Sequence, residues 1–378
     1  MKKRVVIAGF GDTGLLAAIY LKKKYDILGI SPKPCLVSGQ ELGLRLTRPE
    51  EWKENYLMGF HRFKHLAGVQ HCQGRVLEIL PTENKVKLLA ADGTKRYENY
   101  DALLIAAGVS NGFWRTDKLE TLEEIQRNLE NQAADLSAAG SLAVVGGGPS
   151  GVSVASNMKE KFPDAAVHLF FAHEQPLPGY HPKTRRKIVA KLTRQGVVLH
   201  AGHRAHLPTD TAGHKATDKL TSGTIDWQTG QPPFKADLIL WAVGNLQPNN
   251  DFMPPEMLTA QGFVKVDARL RVPGHENIFA VGDIADTDEN RSSARNGGFM
   301  TAAHNVDAYL SGRLSKMKPF KVTRYRWGSI VGVQAEGLRI FTPTGGSIRI
   351  SKYWVGKLLF PFFVWQMIYR GLHKNRSN

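Results

Sequence analysis

Cysteine is scarce in this 378-residue sequence: Cys35 and Cys72 are its only two. They lie far apart and form neither a C-x-x-C nor a C-x-x-x-x-C pair, which excludes a disulfide framework, a thiolate-ligated metal site and a dithiol redox centre. No uncharged apolar stretch approaches the roughly 20 residues of a membrane-spanning helix. The opening MKKRVVIAGFGDTG sets basic residues before an apolar run, but Asp12 interrupts the run and no small-residue cleavage site follows, so no secretory leader is expected. Lys2, not glycine, follows Met1, which removes the N-myristoylation signal. Acidic residues are also few, 34 Asp+Glu against 50 Lys+Arg, giving a formal charge of +16. That balance favours an anionic partner: a phosphate-bearing ligand, an anionic membrane surface or nucleic acid. Basic residues spread along the chain without a base-reading module disfavour nucleic acid.

What the sequence has in quantity is glycine at turns. VVIAGFGDTG carries Gly9, Gly11 and Gly14, and LAVVGGGPSGV carries Gly146, Gly148 and Gly151. Each G-x-G-x-x-G follows a short apolar run and opens a helical pattern. In that setting the backbone turns tightly, and a pyrophosphate can approach the positive end of the helix. Two such sites in one chain imply two dinucleotides exchanging electrons: FAD held in place, and NADH or NADPH passing through. Hydride transfer between them is cofactor chemistry, so no catalytic side chain is expected. No metal site is expected either. His200, His203 and His206 fall in a turn-rich stretch without a carboxylate at ligand spacing and read as solvated or packing residues.

The length implies two or three compact units, and a 42% hydrophobic content provides their cores. The pattern predicts a strand over 5–8, a helix over 15–21 and a strand over 25–31. A meander follows over 74–100, then a buried strand in DALLIAAG. The plan then repeats: a strand into the second glycine turn, a helix to about 162, a strand in AAVHLFFA, a helix over 182–195, then GVVLHA and ADLILWAVG. Further strands close on Gly282-Asp283, and a helix is expected over 291–310. The fold class is thus α/β with two Rossmann-like dinucleotide-binding domains. The FAD domain is discontinuous (1–115 and 246–315), the NAD(P)H domain covers 116–245, and a small C-terminal membrane-associating segment covers 316–378.

With GFGDTG, LLIAAG, GGGPSG, LILWAVG and NIFAVGDIAD in this order, residues 5–310 resemble the two-dinucleotide-domain flavoproteins. Within them the resemblance is to the apoptosis-inducing-factor-like branch that contains the ferroptosis suppressor protein, and to the type II NADH dehydrogenases. It implies that Gly9, Gly11, Asp12, Thr13 and Gly14 surround the FAD pyrophosphate and that Arg45 is the flavin-nucleotide arginine. Val76 would offer its backbone to adenine, and Ala107, Gly108, Gly282 and Asp283 would complete the flavin site. The helix after Asp283 would aim its N-terminus at the isoalloxazine. Gly146, Gly148, Pro149, Ser150, Gly151 and Gly244 would hold the nicotinamide nucleotide. Three departures stand out. Ser31 replaces the acid that usually accepts the FAD ribose hydroxyls, with Lys33 available for a phosphate or adenine-edge contact. Phe171 replaces the NAD-selecting acid. With His173, Arg185 and Arg186 nearby and Glu174 opposing them, NADPH is admitted alongside NADH. Ser153 stands where many quinone-reducing relatives carry a glutamate, so water supplies the protons or the acceptor differs.

From Lys316 onward the chain is aromatic and basic, with Glu336 its only acid. KYWVGKLLFPFFVWQMIYRGLHKNR sets Trp354, Leu358, Leu359, Phe360, Phe362, Phe363, Trp365 and Met367 between Lys352/Lys357 and Arg370/Lys374/Arg376. Pro361 suits the first position of a helix and Gly371 a stop, giving a helix of about 15 Å, half a bilayer core. Residues 352–376 therefore read as an interfacial anchor, with a helix buried on the flavin domain or on a homodimer partner, or a kinked span, as alternatives. The function expected is an NAD(P)H:quinone oxidoreductase, cytoplasmic and peripheral on the inner face of a membrane. The alternatives are a soluble reductase of a small iron-sulfur carrier and a redox-linked nucleic-acid-binding or signalling flavoprotein.

Overall fold

The computed structural model describes residues 1–110, 116–207, 220–243, 247–294 and 297–373. Strand β1 (Arg4–Ala8) is buried from Val5 onward, as a parallel strand covered on both faces must be. After the first glycine turn come α1 (Asp12–Leu21) and β2 (Asp26–Ser31), parallel to β1 with Arg4 opposite Asp26. Helices α2 (Leu42–Thr47) and α3 (Pro49–Tyr56) precede a meander of β3 (Gln70–Leu80), β4 (Lys85–Ala90) and β5 (Lys95–Asn99), and β6 (Ala102–Ile105) follows.

Helix α4 (Leu122–Ala138) begins with a capping box: the Thr121 hydroxyl accepts from Glu124 N–H and the Glu124 carboxylate from Thr121 N–H. The second pass is β7 (Ser141–Val145), α5 (Pro149–Lys161), β8 (Ala166–Phe170), α6 (Pro182–Gln195), β9 (Val198–His200), β10 (Leu220–Ile225) and β11 (Phe234–Trp241). Gly196, at φ +83, ends α6 in the left-handed conformation that glycine adopts without a Cβ penalty. The chain then returns to the first sheet through β12 (Ile278–Ala280) and α7 (Gly298–Leu310).

The first sheet is seven-stranded in the order β12-β6-β1-β2-β3-β4-β5, and the second five-stranded in the order β9-β8-β7-β11-β10. In each, the strand before a glycine turn (β1, β7) lies inside the sheet with parallel neighbours on both sides. The turn therefore opens at the C-terminal edge, where the strand order reverses, the usual ligand crevice of an open α/β sheet. Two crossings join the sheets. Val109–Ser110 pairs with Gln247–Pro248, and Asn249 donates to Ala107 O at 2.9 Å.

A third, antiparallel sheet of β13 (Gly328–Gln334), β14 (Gly337–Phe341) and β15 (Ser347–Ile350) was not anticipated from the sequence. Fully buried Asn157 fastens it to α5: its Nδ2 donates to Ser153 O (2.9 Å) and Val331 O (2.8 Å), and its Oδ1 accepts from Arg48 (3.0 Å). Helix α2 presses its backbone on α5 at Gly43, where a Cβ would come within 2.5 Å of Ser153 O.

The tail departs from expectation in its winding. Instead of an α-helix starting at Pro361, a π-helix runs Val355–Ile368 with Pro361 inside it. Proline lacks the N–H and collides with the carbonyl four residues back in an α-helix, and wider i→i+5 winding accommodates it. One side of this helix is docked. Phe360 packs against Leu44, Trp52, Tyr56 and Leu129, while Val364, Trp365 and Ile368 pack on the first unit's core. The other side, Leu358, Phe362, Phe363 and Met367, is exposed. Among the described residues no helix is long and apolar enough to cross a membrane.

Candidate functional site

The two glycine turns divide their labour identically. Gly9 has φ +105, and a Cβ on it would overlap the Ala106 carbonyl, while one on Gly14 would overlap Gly9 O. Packing and backbone conformation dictate both. Gly11, at an ordinary φ of −77, would place a Cβ where nothing described lies within 4 Å. Likewise Gly146 (φ +131) would overlap Ala242 O and Gly151 would overlap Gly146 O, whereas Gly148 (φ −75) has nothing described within 4 Å. The middle glycine of each turn thus serves no packing need of the described residues. What its missing side chain leaves is an open corner at a helix start. Neither α1 nor α5 has a side-chain cap among the described residues. Their first N–H groups therefore face these corners, the donor set that fits a pyrophosphate.

Around the first corner the structure gathers the ends of three adjacent parallel strands. Ala106 N donates to Ala8 O (2.7 Å), and Val281 N to Ile105 O (2.9 Å). A Cβ on Gly282 (φ +93) would stand 3.4 Å from the Thr13 hydroxyl. Gly9, Gly11, Thr13, Gly14, Ala107, Gly282 and half-buried Asp283 are therefore brought together, with Gly108 held by Asn249 N at 3.2 Å. Asp12 is engaged away from the turn, accepting from the Ser38 hydroxyl (3.0 Å), Gly39 N (3.3 Å) and the Tyr369 phenol (3.1 Å). Burial, then the Asp12 charge, pushes the Tyr369 phenol well above its ordinary pKa. Sequence reasoning missed this residue, which ties the end of the tail helix to the first turn of α1.

Arg45 is 2% exposed, its guanidinium 4.8 Å over the Trp52 ring, and burial lowers its pKa to about 9. It shares a small cavity with Lys33, Thr116, Glu120 and Asn128. The Lys33 ammonium is engaged by protein groups. It is ion-paired with Glu120 and donates to Thr116 Oγ1 (2.9 Å) and Lys118 O (3.0 Å), which accounts for its three protons. Burial, opposed by Asp117, lowers its pKa to about 8. Ser31 is buried too, its hydroxyl accepting from Lys33 N at 3.0 Å in a local turn. Glu120 arrives beside this turn from the linker, with its N–H on Pro32 O (3.3 Å). Val76 lies on β3 opposite Leu88, just before a bulge.

At the second corner Phe171 is buried beneath the turn, and a Cβ on Gly147 would stand 2.6 Å from its own Cβ. Pro149 and Ser150 open α5 and are half-buried. His173, Glu174 and Arg186 are exposed, but Arg185 is committed to the loop, donating to Pro176 O and Gln175 O at 3.1 Å each. Gly244, like Lys374 and Arg376, lies outside the described residues. Ser153 is 4% exposed, and its hydroxyl has no hydrogen-bond partner among the described residues.

His168 and His200 of the second unit pack. His200 stacks on Phe170 at 4.2 Å, and its Nε2 meets His168 Nδ1 at 3.0 Å. Burial, then the neighbouring His168 and His203, lowers the His200 pKa to about 4. Both cysteines are buried and free, and burial raises the Cys35 thiol to about 11. The acidic loop DIADTDENRSS is organised by Asp288. Its carboxylate accepts from Asn290 N (2.9 Å), Ser292 N (2.9 Å) and Ser292 Oγ (2.7 Å).

Comparison with known proteins agrees with this geometry. The chain is 25% identical to apoptosis-inducing factor homolog B of Dictyostelium discoideum over 91% of its own length and 90% of the relative's. It is 24% identical to ferroptosis suppressor protein 1 of Taeniopygia guttata over 76% of this chain and 73% of that one. The solved structure of NDH2 from Plasmodium falciparum in complex with NADH shares its fold, with a TM-score of 0.57 at 18% identity over 75% of this chain and 64% of that one. Residues 3–308 match the family model described as pyridine nucleotide-disulphide oxidoreductase. With two open pyrophosphate corners on two Rossmann-type sheets, the chain belongs to that family and is an oxidoreductase that uses FAD and NAD(P)H.

Proposed function

We propose that the chain is a peripheral membrane NAD(P)H:quinone oxidoreductase, with FAD on the unit of residues 1–115 and 246–315 and the nicotinamide nucleotide on residues 116–245. The observation that carries the reading is the pair of open corners at Gly11 and Gly148, each at the start of a helix without a side-chain cap among the described residues. Bound together, the two groups supply hydride transfer from nicotinamide to flavin. The chain's own part is to position them. The N–H groups at the start of α1 and α5 hold the phosphates, and Gly282 with Asp283 closes the first corner beside Thr13. Phe171 presents no charge to the ribose of the nicotinamide nucleotide, so NADH and NADPH are both admitted. The Ser153 hydroxyl, unlike a carboxylate, does not exchange its proton readily near neutral pH, so the second proton of quinone reduction comes from water.

The tail supports the choice of acceptor. Leu358, Phe362, Phe363 and Met367 face away from the core, beside Lys352, Lys357 and Arg370. An apolar, ring-bearing face edged with cations suits the acyl boundary of a cytoplasmic membrane face, where a lipid-dissolved quinone is within reach. The test is turnover of FAD-loaded protein with NADH or NADPH against a short-chain quinone and a small iron-sulfur protein in parallel. The reading expects quinone reduction in solution, and faster reduction of a long-chain quinone in vesicles that Phe362→Ser/Phe363→Ser abolishes. Reduction of the iron-sulfur protein alone would overturn it.

A further inference from the structure

Helix α6 carries six cations, Lys183, Arg185, Arg186, Lys187, Lys191 and Arg194, and no acid in 14 residues. At roughly 100° per residue, Lys183, Lys187 and Arg194 fall within about 40° of one another on the circumference, opposite buried Ile188 and Leu192. All three are exposed, and none has a carboxylate at ion-pair distance among the described residues. A merely solvated helix face usually mixes charge signs; this one does not. The stripe also continues onto the third sheet. Lys187 Nζ donates to Ser347 Oγ (3.1 Å), Lys191 pairs with Glu336 (2.7 Å), and Arg349 Nε reaches Glu336 O (3.4 Å). Glu336, the one acid there, is held below its usual pKa by the Lys191 hydrogen bond and by the charges of Lys191, Arg349 and Arg339. Strand β15 then runs through Ser351 directly into exposed Lys352, Tyr353 and Trp354, where the apolar tail face begins.

We infer that the cationic stripe of α6 and β15 is the headgroup-binding half of a composite lipid surface whose acyl-contacting half is the tail helix, and that its partner is anionic phospholipid. This rests on the membrane reading above and deepens it. An acidic protein would match the charge equally, but it would give no role to exposed Trp354, Leu358, Phe362 and Phe363 at the end of the stripe. A bilayer satisfies both, because phosphates lie over cations and rings enter the boundary below them.

The test is co-sedimentation of the FAD-loaded full chain with two vesicle types, pure phosphatidylcholine and phosphatidylcholine containing about one-third phosphatidylglycerol. The comparison includes Lys183→Ala/Lys187→Ala/Arg194→Ala and Phe362→Ser/Phe363→Ser, with thermal melting to verify folding. The expected result is salt-sensitive preference of the wild type for anionic vesicles. The triple variant should bind these on the order of 100-fold more weakly and neutral vesicles as before, while the Phe variant loses both. Equal binding to both vesicle types by wild type, or an undiminished preference in the triple variant, overturns the inference and leaves the membrane reading standing. Absence of all vesicle binding overturns both, and quinone turnover in solution then reports separately on the chemistry. Competition by polyglutamate as effective as that by anionic vesicles assigns the face to an acidic protein and likewise overturns it.

Discussion

Replacing Gly148 by alanine separates a ligand's need from the fold's need. The new Cβ meets no described atom within 4 Å, and φ −75 suits any L-residue. Alanine is a poorer N-cap than glycine, by up to about 1 kcal/mol, but it lowers the entropy of the unfolded chain by a comparable amount. Net stability should change by less than about 1 kcal/mol, a melting shift below about 4 °C. A phosphate in the corner, by contrast, would be displaced from the helix start and would lose about two charge-assisted hydrogen bonds of roughly 1.5–3 kcal/mol each. NAD(P)H affinity should fall at least about 100-fold. Gly146→Ala should behave in the opposite way, because φ +131 and overlap with Ala242 O impose about 3 kcal/mol or more of strain. Differential scanning fluorimetry and anaerobic nucleotide titration of both variants decide the matter. A Gly148→Ala protein that binds NADH and NADPH within about threefold of wild type would refute the reasoning.

Three further outcomes follow from the same geometry. Tyr369→Phe removes the phenol donor to Asp12 and should cost about 1.5–3 kcal/mol in urea denaturation; a loss below about 0.5 kcal/mol would show the link to be incidental. Ser153→Ala deletes a buried hydroxyl without a described partner, so stability should hold or rise by about 1 kcal/mol; the pH dependence of turnover should also stay fixed, and a shifted profile would assign Ser153 a proton-handling part. His71 and His200 are each lowered to about 4 by burial, His200 also by His168 and His203. The unfolded chain therefore takes up these protons first, and stability, full above about pH 6.5, should fall as pH drops from about 6.5 towards 4. Denaturation midpoints across that window check the sign, and a flat profile in which His200→Gln changes nothing would contradict it.

Much of the fold was legible because its governing signals are local. Short apolar runs ending in glycine marked β1, β6, β7 and β11, and Pro182 with Gly196 bracketed α6 to the residue. The third sheet was not legible. Its strands bury one face against α5 through Asn157, a contact 174 residues long in sequence, and they are short and interrupted by glycine. Helix α4 was overlooked although Thr121 and Glu124 stand at capping-box spacing, with Ile125 and Leu129 following at helical period. At the site, Gly11 and Gly148 could be named but not distinguished from their neighbours, because only the three-dimensional environment reveals which glycines the packing demands. Lys33 could be named as a nucleotide contact but its ion pair could not be foreseen, because Glu120 comes from 87 residues away. The Pro361 rule failed because the tail's apolar contacts on both sides of the proline outweigh the preference for starting a helix there.

The central claim is that both corners hold pyrophosphates at once, and a crystal structure of the chain with FAD and NADPH bound tests it most directly. The account predicts one pair of phosphorus atoms seated above Gly11 at the start of α1 and another above Gly148 at the start of α5. Density for either nucleotide elsewhere on the surface, with its corner closed by side chains, would contradict it.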